Sequence, residues 1–531
     1  MNAVRTLAPL LLLLLSTAPP LLAQHEHAHA GAGKLGRVVF PVSCAAAVGA
    51  DFERGVAMLH SFWFGEAEKA FQAVAAADPQ CAMAHWGIAL ARRGNPFAGA
   101  PAAANLTAGL AAAEQAVRLA AGAPPRERGY VDAVLAFYRG HEQRDHRTRM
   151  LAYEEAMRQL REHHPDDREA TIFYAQAVIA NAPPSDLKFE RQQVAAGMLE
   201  PLFAQEPQHP GLAHYLIHAY DAPPLAERGL AAAQRYAGIA PAAPHALHMP
   251  SHIFTRRGLW DESIASNTAA AKAEGSSPGR VHPLDYLVYA YLQQGRDREA
   301  EAVARAAAAT TGSSGYAPIM RYNALAMPAR LVLERARWAE AARLPLPEAG
   351  TPPEFAAIAR FARGVGAARS GQAAPARREA AELSALEQAL TQRGDAYWAT
   401  LVGAQRLAVE AWLARAERRD ADALRLARQA ADREETVEKH PVTPGPLLPA
   451  RELLGDLLLE LGHADDAQAA YEATLRHEPN RARTLYGAAR AAERAGDRAA
   501  ARAHYRALAK LMARADAERP ERRAALSFRG R

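Results

Sequence analysis

Clusters of valine and isoleucine are scarce in this chain, and their scarcity argues against a sheet. Alanine dominates instead, with leucine, arginine and glutamate, a composition that favours helix. A strong charge of one sign is also missing: 63 basic against 58 acidic residues leave a formal net charge of +5. So mild an excess supplies no concentrated basic face, which excludes nucleic acid as a partner class. Beyond the first residues, no apolar run is long enough to span a membrane. Cysteine occurs twice, at Cys44 and Cys81, so one disulfide is the most the chain can form. An oxidising compartment and the place of both residues just before neighbouring helices favour that bridge over two separate thiols.

What is present begins with an address. Arg5 precedes the apolar run Leu7–Leu15, interrupted by Ala8 and Pro9, and Leu21-Leu22-Ala23 follows two prolines. A positive start, a short apolar stretch and a small residue at the cut predict a secretory signal peptide over 1–23. No cysteine lies near the cut to carry a lipid. The mature chain is therefore expected to be exported, periplasmic or extracellular in a bacterium, with no transmembrane segment after cleavage. A flexible leader over 24–47 comes next, and its alternating His25, His27 and His29 can bind borderline metals weakly.

From about residue 48 a repeat emerges. Gly462 and Gly496 are 34 residues apart, as are Ala467 and Ala501, and Tyr471 and Tyr505. Leu454-Gly455, Leu458, Gly462, Ala467, Tyr471 and Pro479 stand at the signature offsets of a two-helix unit, and Ala67, Phe71 and Pro79 repeat its second half. On these residues the chain resembles the tetratricopeptide repeat family. The resemblance implies an all-α, right-handed solenoid of antiparallel helix pairs. Divergent units keep the phase at Gly258 with Ser263 and Asn267, at Gly295 with Ala300, and at Gly371 with Ala376. The expected divisions are N-terminal repeats over 48–200, central repeats over 201–320, divergent repeats over 321–440, a terminal pair over 441–515 and a basic, frayed tail over 516–531. Pro441–Pro449, PVTPGPLLP, reads as the break before the terminal pair.

The central repeats carry the chemistry. His209, His214, His218, His245, His248, His252 and His282 fall between His209 and Tyr291, with Asp221 and Asp285 among them. His214 and His218 are four apart, as are His248 and His252, so each pair shares a helix face at a spacing that lets two imidazoles hold one ion. Neither pair is followed by glutamate, so the HExxH metalloprotease motif is absent. Phased on Gly258 and Gly295, the family geometry puts His245, His248, His252, His282 and Asp285 on first-helix positions that line the concave groove. His214 and Asp221 follow in the preceding unit, with His218 slightly out of phase. Pro250 either starts a helix or kinks one between His248 and His252.

Two functions follow from this groove. The first is capture of a protein or peptide partner on the concave face, with Tyr215 and Tyr289 among its contacts. The alternative is a metal-binding protein, possibly a metal-dependent hydrolase, with zinc or copper held by His214, His218, His245, His248, His252, His282, Asp221 and Asp285. In that case Asp221 or Asp285 is the candidate base. His60, Trp63, His85, Trp86 and Asn95 form a smaller cluster that reads as core. The stretches LHSFWFGEAEKAF, DPQCAMAHWGIAL, AHYLIHAYD and HALHMPSHIF are similar to a group of exported bacterial tetratricopeptide proteins. That likeness implies export and the solenoid, and assigns no activity.

Overall fold

Sixteen residues separate Gly55 from Phe71 and Phe71 from Gly87, and the same spacing recurs at Gly455, Tyr471 and Gly487. In both places the aromatic ring is wedged between two glycine-bearing helices. A Cβ built on any of these four glycines would come within 2.4–2.9 Å of the ring. Phe71 lies on the helix Phe64–Ala77, and its glycines lie on Gly49–His60 and Ala82–Arg93. Tyr471 lies on Ala464–His477, and its glycines lie on Ala450–Glu460 and Ala482–Ala495. Only a glycine lets the next helix close on so large a side chain, and this wedge is the physical basis of the repeat.

The computed structural model describes residues 33–310 and 320–528. It is all-α, with no strand among the described residues, and successive helices pack as tetratricopeptide-like antiparallel pairs. The expected turn glycines, Gly258, Gly295, Gly371, Gly462 and Gly496, all adopt positive φ, between 63° and 87°. The expected signal peptide and the leader histidines lie outside the described residues. No described helix is long and apolar enough to cross a membrane.

Several expectations about ends and boundaries change. Lys34–Val48 is no flexible leader. Leu35, Val38 and Phe40 are buried, and Arg37 N donates to Gln208 O at 2.9 Å. One apolar core runs from Leu35 to Phe254, straight across the division expected at residue 200. A second runs from Tyr322 to Ala491 and crosses the one expected at 440. The tail is ordered through Phe528: Arg519 is buried, and its Nε donates to Asp297 Oδ1 at 3.0 Å. The terminal repeats dock on the central ones, with Trp260 Nε1 donating to Asn480 O at 2.9 Å and Asp516 N to Gly295 O at 2.9 Å.

Cys44 and Cys81 are bonded, which ties the approach to the first helix to the start of the third. The closed loop spans 37 residues. On loop entropy, the Cys44→Ala/Cys81→Ala pair should lower stability by about 3–4 kcal/mol. Thermal unfolding of the variant, and of the wild type under reductant, reads this directly.

The segment that matters most for the site is Val437–Pro449. It is not helical, as its four prolines dictate. It is more than a break between modules, because it runs against the helix faces expected to line the groove. Tyr286 Oη donates to Pro441 O at 3.2 Å, Asn323 Nδ2 to Val442 O at 2.9 Å, and Arg330 to Gly445 O and Pro446 O, each at 2.9 Å.

Candidate metal centre

Two groups of three histidines meet in the central repeats. His214 and His218 come from the helix Pro210–Tyr220, and His245 joins them from Pro244–His248. His248 and His252 flank the interruption at Met249, and His282 joins them from Val281–Gln293. Within each triad the three ligand atoms all lie within 4.8 Å of one another. The triads are neighbours, with ring centroids 6.0 Å apart for His245 and His248 and 6.1 Å for His218 and His252. Pro250 starts a second helix, Pro250–Arg256, directly after Pro244–His248. Met249 keeps helical dihedrals, φ −53° and ψ −36°, while the missing Pro250 N–H interrupts the ladder between two ligand-bearing turns.

The outer hydrogen bonds fix which nitrogen of each ring is free. His214 Nδ1 lies 2.6 Å from His60 O, an atom that can only accept. Asn267 Nδ2 donates to Ser263 O, which turns Asn267 Oδ1 toward His248 Nδ1 at 2.6 Å. His252 Nδ1 donates to Asp221 Oδ2 at 2.8 Å. All three imidazoles are thereby held as the tautomer with a bare Nε2. His214 Nε2 lies 3.2 Å from His245 Nε2, and His248 Nε2 lies 3.0 Å from His252 Nε2. The buried His218 Nε2 has no hydrogen-bond partner. Burial pushes the pKa of His214, His218, His245, His248 and His282 well below the usual range, and neighbouring imidazoles push in the same sense. Burial also lowers His252, against the opposing pull of Asp221.

The triads open on a cavity of about 250 Å³. Phe62 and Phe97 wall it: Phe62 stacks on His245 at 5.2 Å between centroids, and Phe97 stacks on His218 at 4.1 Å. His440, Pro441 and Val442 of the groove segment close another side. Phe62 stands where several other units have a turn glycine and adopts φ +52°. Non-glycine residues also occupy this region at Phe189, Ala336, Arg418 and Asn480, but none of these has a ring stacked on an imidazole as Phe62 does.

Not every expected site residue joins the triads. Asp285 is corrected from ligand to structural counter-ion. It is fully buried, and Arg330 Nε reaches its Oδ1 at 2.9 Å. Asp221 sits one shell out. It accepts from His252 Nδ1 and from Arg256 Nε, each at 2.8 Å, and the Lys439 and Arg256 cations hold its carboxyl well below the usual range despite burial. Tyr215 and Tyr289, expected as partner contacts, are 0% and 1% exposed and belong to the core. Tyr215 Oη accepts from Gln176 Nε2 at 2.5 Å, and Tyr289 Oη donates to Glu478 at 2.9 Å. His60 and His209 bracket Glu169, each through Nε2, at 2.9 and 2.8 Å. Leu212 N donates to His209 Nδ1, so His209 Nε2 carries its proton. That third cluster is a satisfied hydrogen-bond network rather than an open ligand set.

No protein-family model and no curated protein matches the chain. Solved structures that align with it include the APC/C hetero-tetramer Cut9-Hcn1, at 12% identity over 90% of this chain and 89% of that one, with a TM-score of 0.34. The P58(IPK) TPR domain aligns at 13% identity over 85% of this chain and 99% of that one, with a TM-score of 0.22. IFIT1 with Gppp-AAAA aligns at 10% identity over 81% of this chain and 90% of that one, with a TM-score of 0.36. Likenesses this remote carry no statement about activity.

Proposed function

We propose that this protein is a helical-repeat metalloprotein whose central units bind zinc or copper, the ions imidazole suits best. One observation carries the reading: the bare nitrogens of His248 and His252 face each other at 3.0 Å, and the one hydroxyl beside them, Tyr286 Oη at 3.4 Å from His252 Nε2, gives its proton to Pro441 O. Two lone pairs at that distance repel unless a cation sits between them. Burial disfavours a proton there, because it penalises the charged imidazolium. A tetrahedral metal with bonds of about 2.0–2.1 Å sets its ligand nitrogens about 3.3 Å apart. The outer partners His60 O, Asn267 and Asp221 supply the orienting acceptors that metal-bound imidazoles need.

Hydrolysis has less support. Both carboxylates that could serve as base are committed, Asp285 to Arg330 and Asp221 to His252 and Arg256. Partner capture, the other role for such an array, is supported by the helical-repeat architecture. On the central faces, however, a peptide would have to displace Val437–Pro449. A partner that binds the chelated protein as tightly as the loaded one would favour capture. We also place the protein in an oxidising, exported setting, supported by the Cys44–Cys81 bond.

The test is metal content by mass spectrometry on protein lacking residues 24–34 and purified without immobilised metal. At least one equivalent of zinc or copper should survive dialysis and be lost in His248→Ala/His252→Ala. Metal-free wild type after loading would end the proposal. Asn267→Leu should weaken metal retention about 10–100-fold. Histidines kept for packing alone would register that change only as lost stability, and a competition titration with a chelator separates the two.

A further inference from the structure

The geometry points to two copper ions, one in each histidine triad, that together bind dioxygen in the phenylalanine-walled cavity; this rests on the metal reading above. The donor chemistry comes first. The triads offer six neutral imidazoles and no carboxylate or thiolate, and the nearest carboxylate, Asp221, turns its oxygens to His252 Nδ1, Arg256 and Lys439. An all-nitrogen borderline set disfavours magnesium, calcium and manganese, and among divalent ions copper heads the affinity order. Three protein ligands per ion leave each metal an open position, as reactive sites require.

The surroundings decide what fills those positions. Both triads contribute to one cavity, through His218 and His245 on one side and His248, His252 and His282 on the other. Its volume of about 250 Å³ suits a small molecule. Phe62, Phe97 and Pro441 make much of the wall apolar, which suits a neutral, apolar guest. Glu274 is the cavity's one acid, and it lies against Gly279 rather than among the imidazoles. Chemistry that needs no proton fits such a site. With copper(I) in both triads, each ion would give one electron to dioxygen, which would be reduced to peroxide and held between the two copper(II) ions. Atoms and charge balance with no further reductant. Phe62 fits the same picture: an aromatic ring is kept at a turn whose backbone favours glycine, and it covers His245.

The test uses the full chain, freed of metal, loaded anaerobically with copper(I) and titrated with dioxygen. The expected result is two coppers bound, one dioxygen consumed per two coppers, and an intense near-ultraviolet charge-transfer band without a copper(II) paramagnetic signal. His218→Ala and His282→Ala, which break one triad each, should each keep one copper and lose the stoichiometric uptake. Far-ultraviolet circular dichroism checks that both variants stay folded. Two bound coppers that take up no dioxygen would overturn the inference and leave the metal reading standing. So would uptake that persists when either triad is broken, or binding of zinc alone. A protein that binds no metal at all removes both.

Discussion

Arg330→Ala should lower stability by about 3–5 kcal/mol, the usual consequence of leaving a buried charge without its partner. Arg330 and Asp285 are both 0% exposed. The guanidinium spends its donors on four atoms: Asp285 Oδ1, Thr443 Oγ1 at 2.7 Å, and the carbonyls of Gly445 and Pro446. Truncation therefore strands a carboxylate in the core and releases the groove segment together. Denaturant unfolding reads the first effect. Limited proteolysis between residues 437 and 449 reads the second and should become much faster. Asp285→Asn alone should also destabilise, because it leaves the cation buried. The double variant Asp285→Asn/Arg330→Ala should be less damaging than the sum of the two single changes, since each removes the other's uncompensated charge. Additive losses would mean that the pair does not interact as the geometry implies.

Much of the fold was legible because the repeat writes itself into residues with one purpose each. Glycine marks the positive-φ turn at Gly258, Gly295, Gly371, Gly462 and Gly496, and a small residue followed by an aromatic marks the helix contact. The departures from that pattern are where the site lies. In the unit turning at Gly258, Ser263 and Asn267 stand where Ala467 and Tyr471 stand in the terminal unit. Both are fully buried, and Asn267 orients His248. A polar residue at an interhelix packing position is a signal that the sequence itself carries. Phe62, an aromatic at a glycine position, was a second such signal.

Other features could not be read from periodicity. His218 looked out of phase because helix position was judged from family offsets, whereas the side chain only has to reach a shared centre with His214 and His245. Asp285 looked like a ligand because its partner, Arg330, lies 45 residues away on another helix. Tyr215 and Tyr289 looked like groove contacts because nothing local reveals that Gln176 or Glu478 will meet their hydroxyls. The role of Val437–Pro449 depends on contacts with residues more than a hundred positions earlier, which no local pattern encodes.

Acid should undo the metal-free protein at an unusually high pH. Burial lowers the pKa of all six triad histidines below 6.5, their ordinary value. The sign follows from where protons bind. Below pH 6.5 the unfolded chain protonates these imidazoles and the folded chain does not, so stability falls as pH falls. Each such group contributes about 1.4 kcal/mol per pH unit, so six give a slope of about 8 kcal/mol per pH unit. His60, His146 and His440 act in the same sense, the last two with pKa values brought down to about 4 by burial. Against a typical total of about 5–15 kcal/mol, unfolding should be complete within about two pH units below 6.5. Carboxylates do not mimic this transition: burial raises Glu434 to about 8, so the folded chain binds that proton first and this group opposes the loss by about 1.4 kcal/mol per pH unit. Burial raises the Glu452 carboxyl, but Arg481 and Arg483 outweigh that and hold it at about 2, so its contribution is lost only as pH falls from 4.5 toward 2. Replacing His248 and His252 by leucine should remove about 3 kcal/mol per pH unit from the slope. Metal loading should move the transition to lower pH, because protons must then displace the ion to reach the nitrogens. Circular dichroism against pH, on chelated and loaded protein, tests both statements at once. Chelated protein that stays folded unchanged to pH 4.5 would mean that the imidazoles take up protons in place, which the enclosed, mutually repelling triads do not allow.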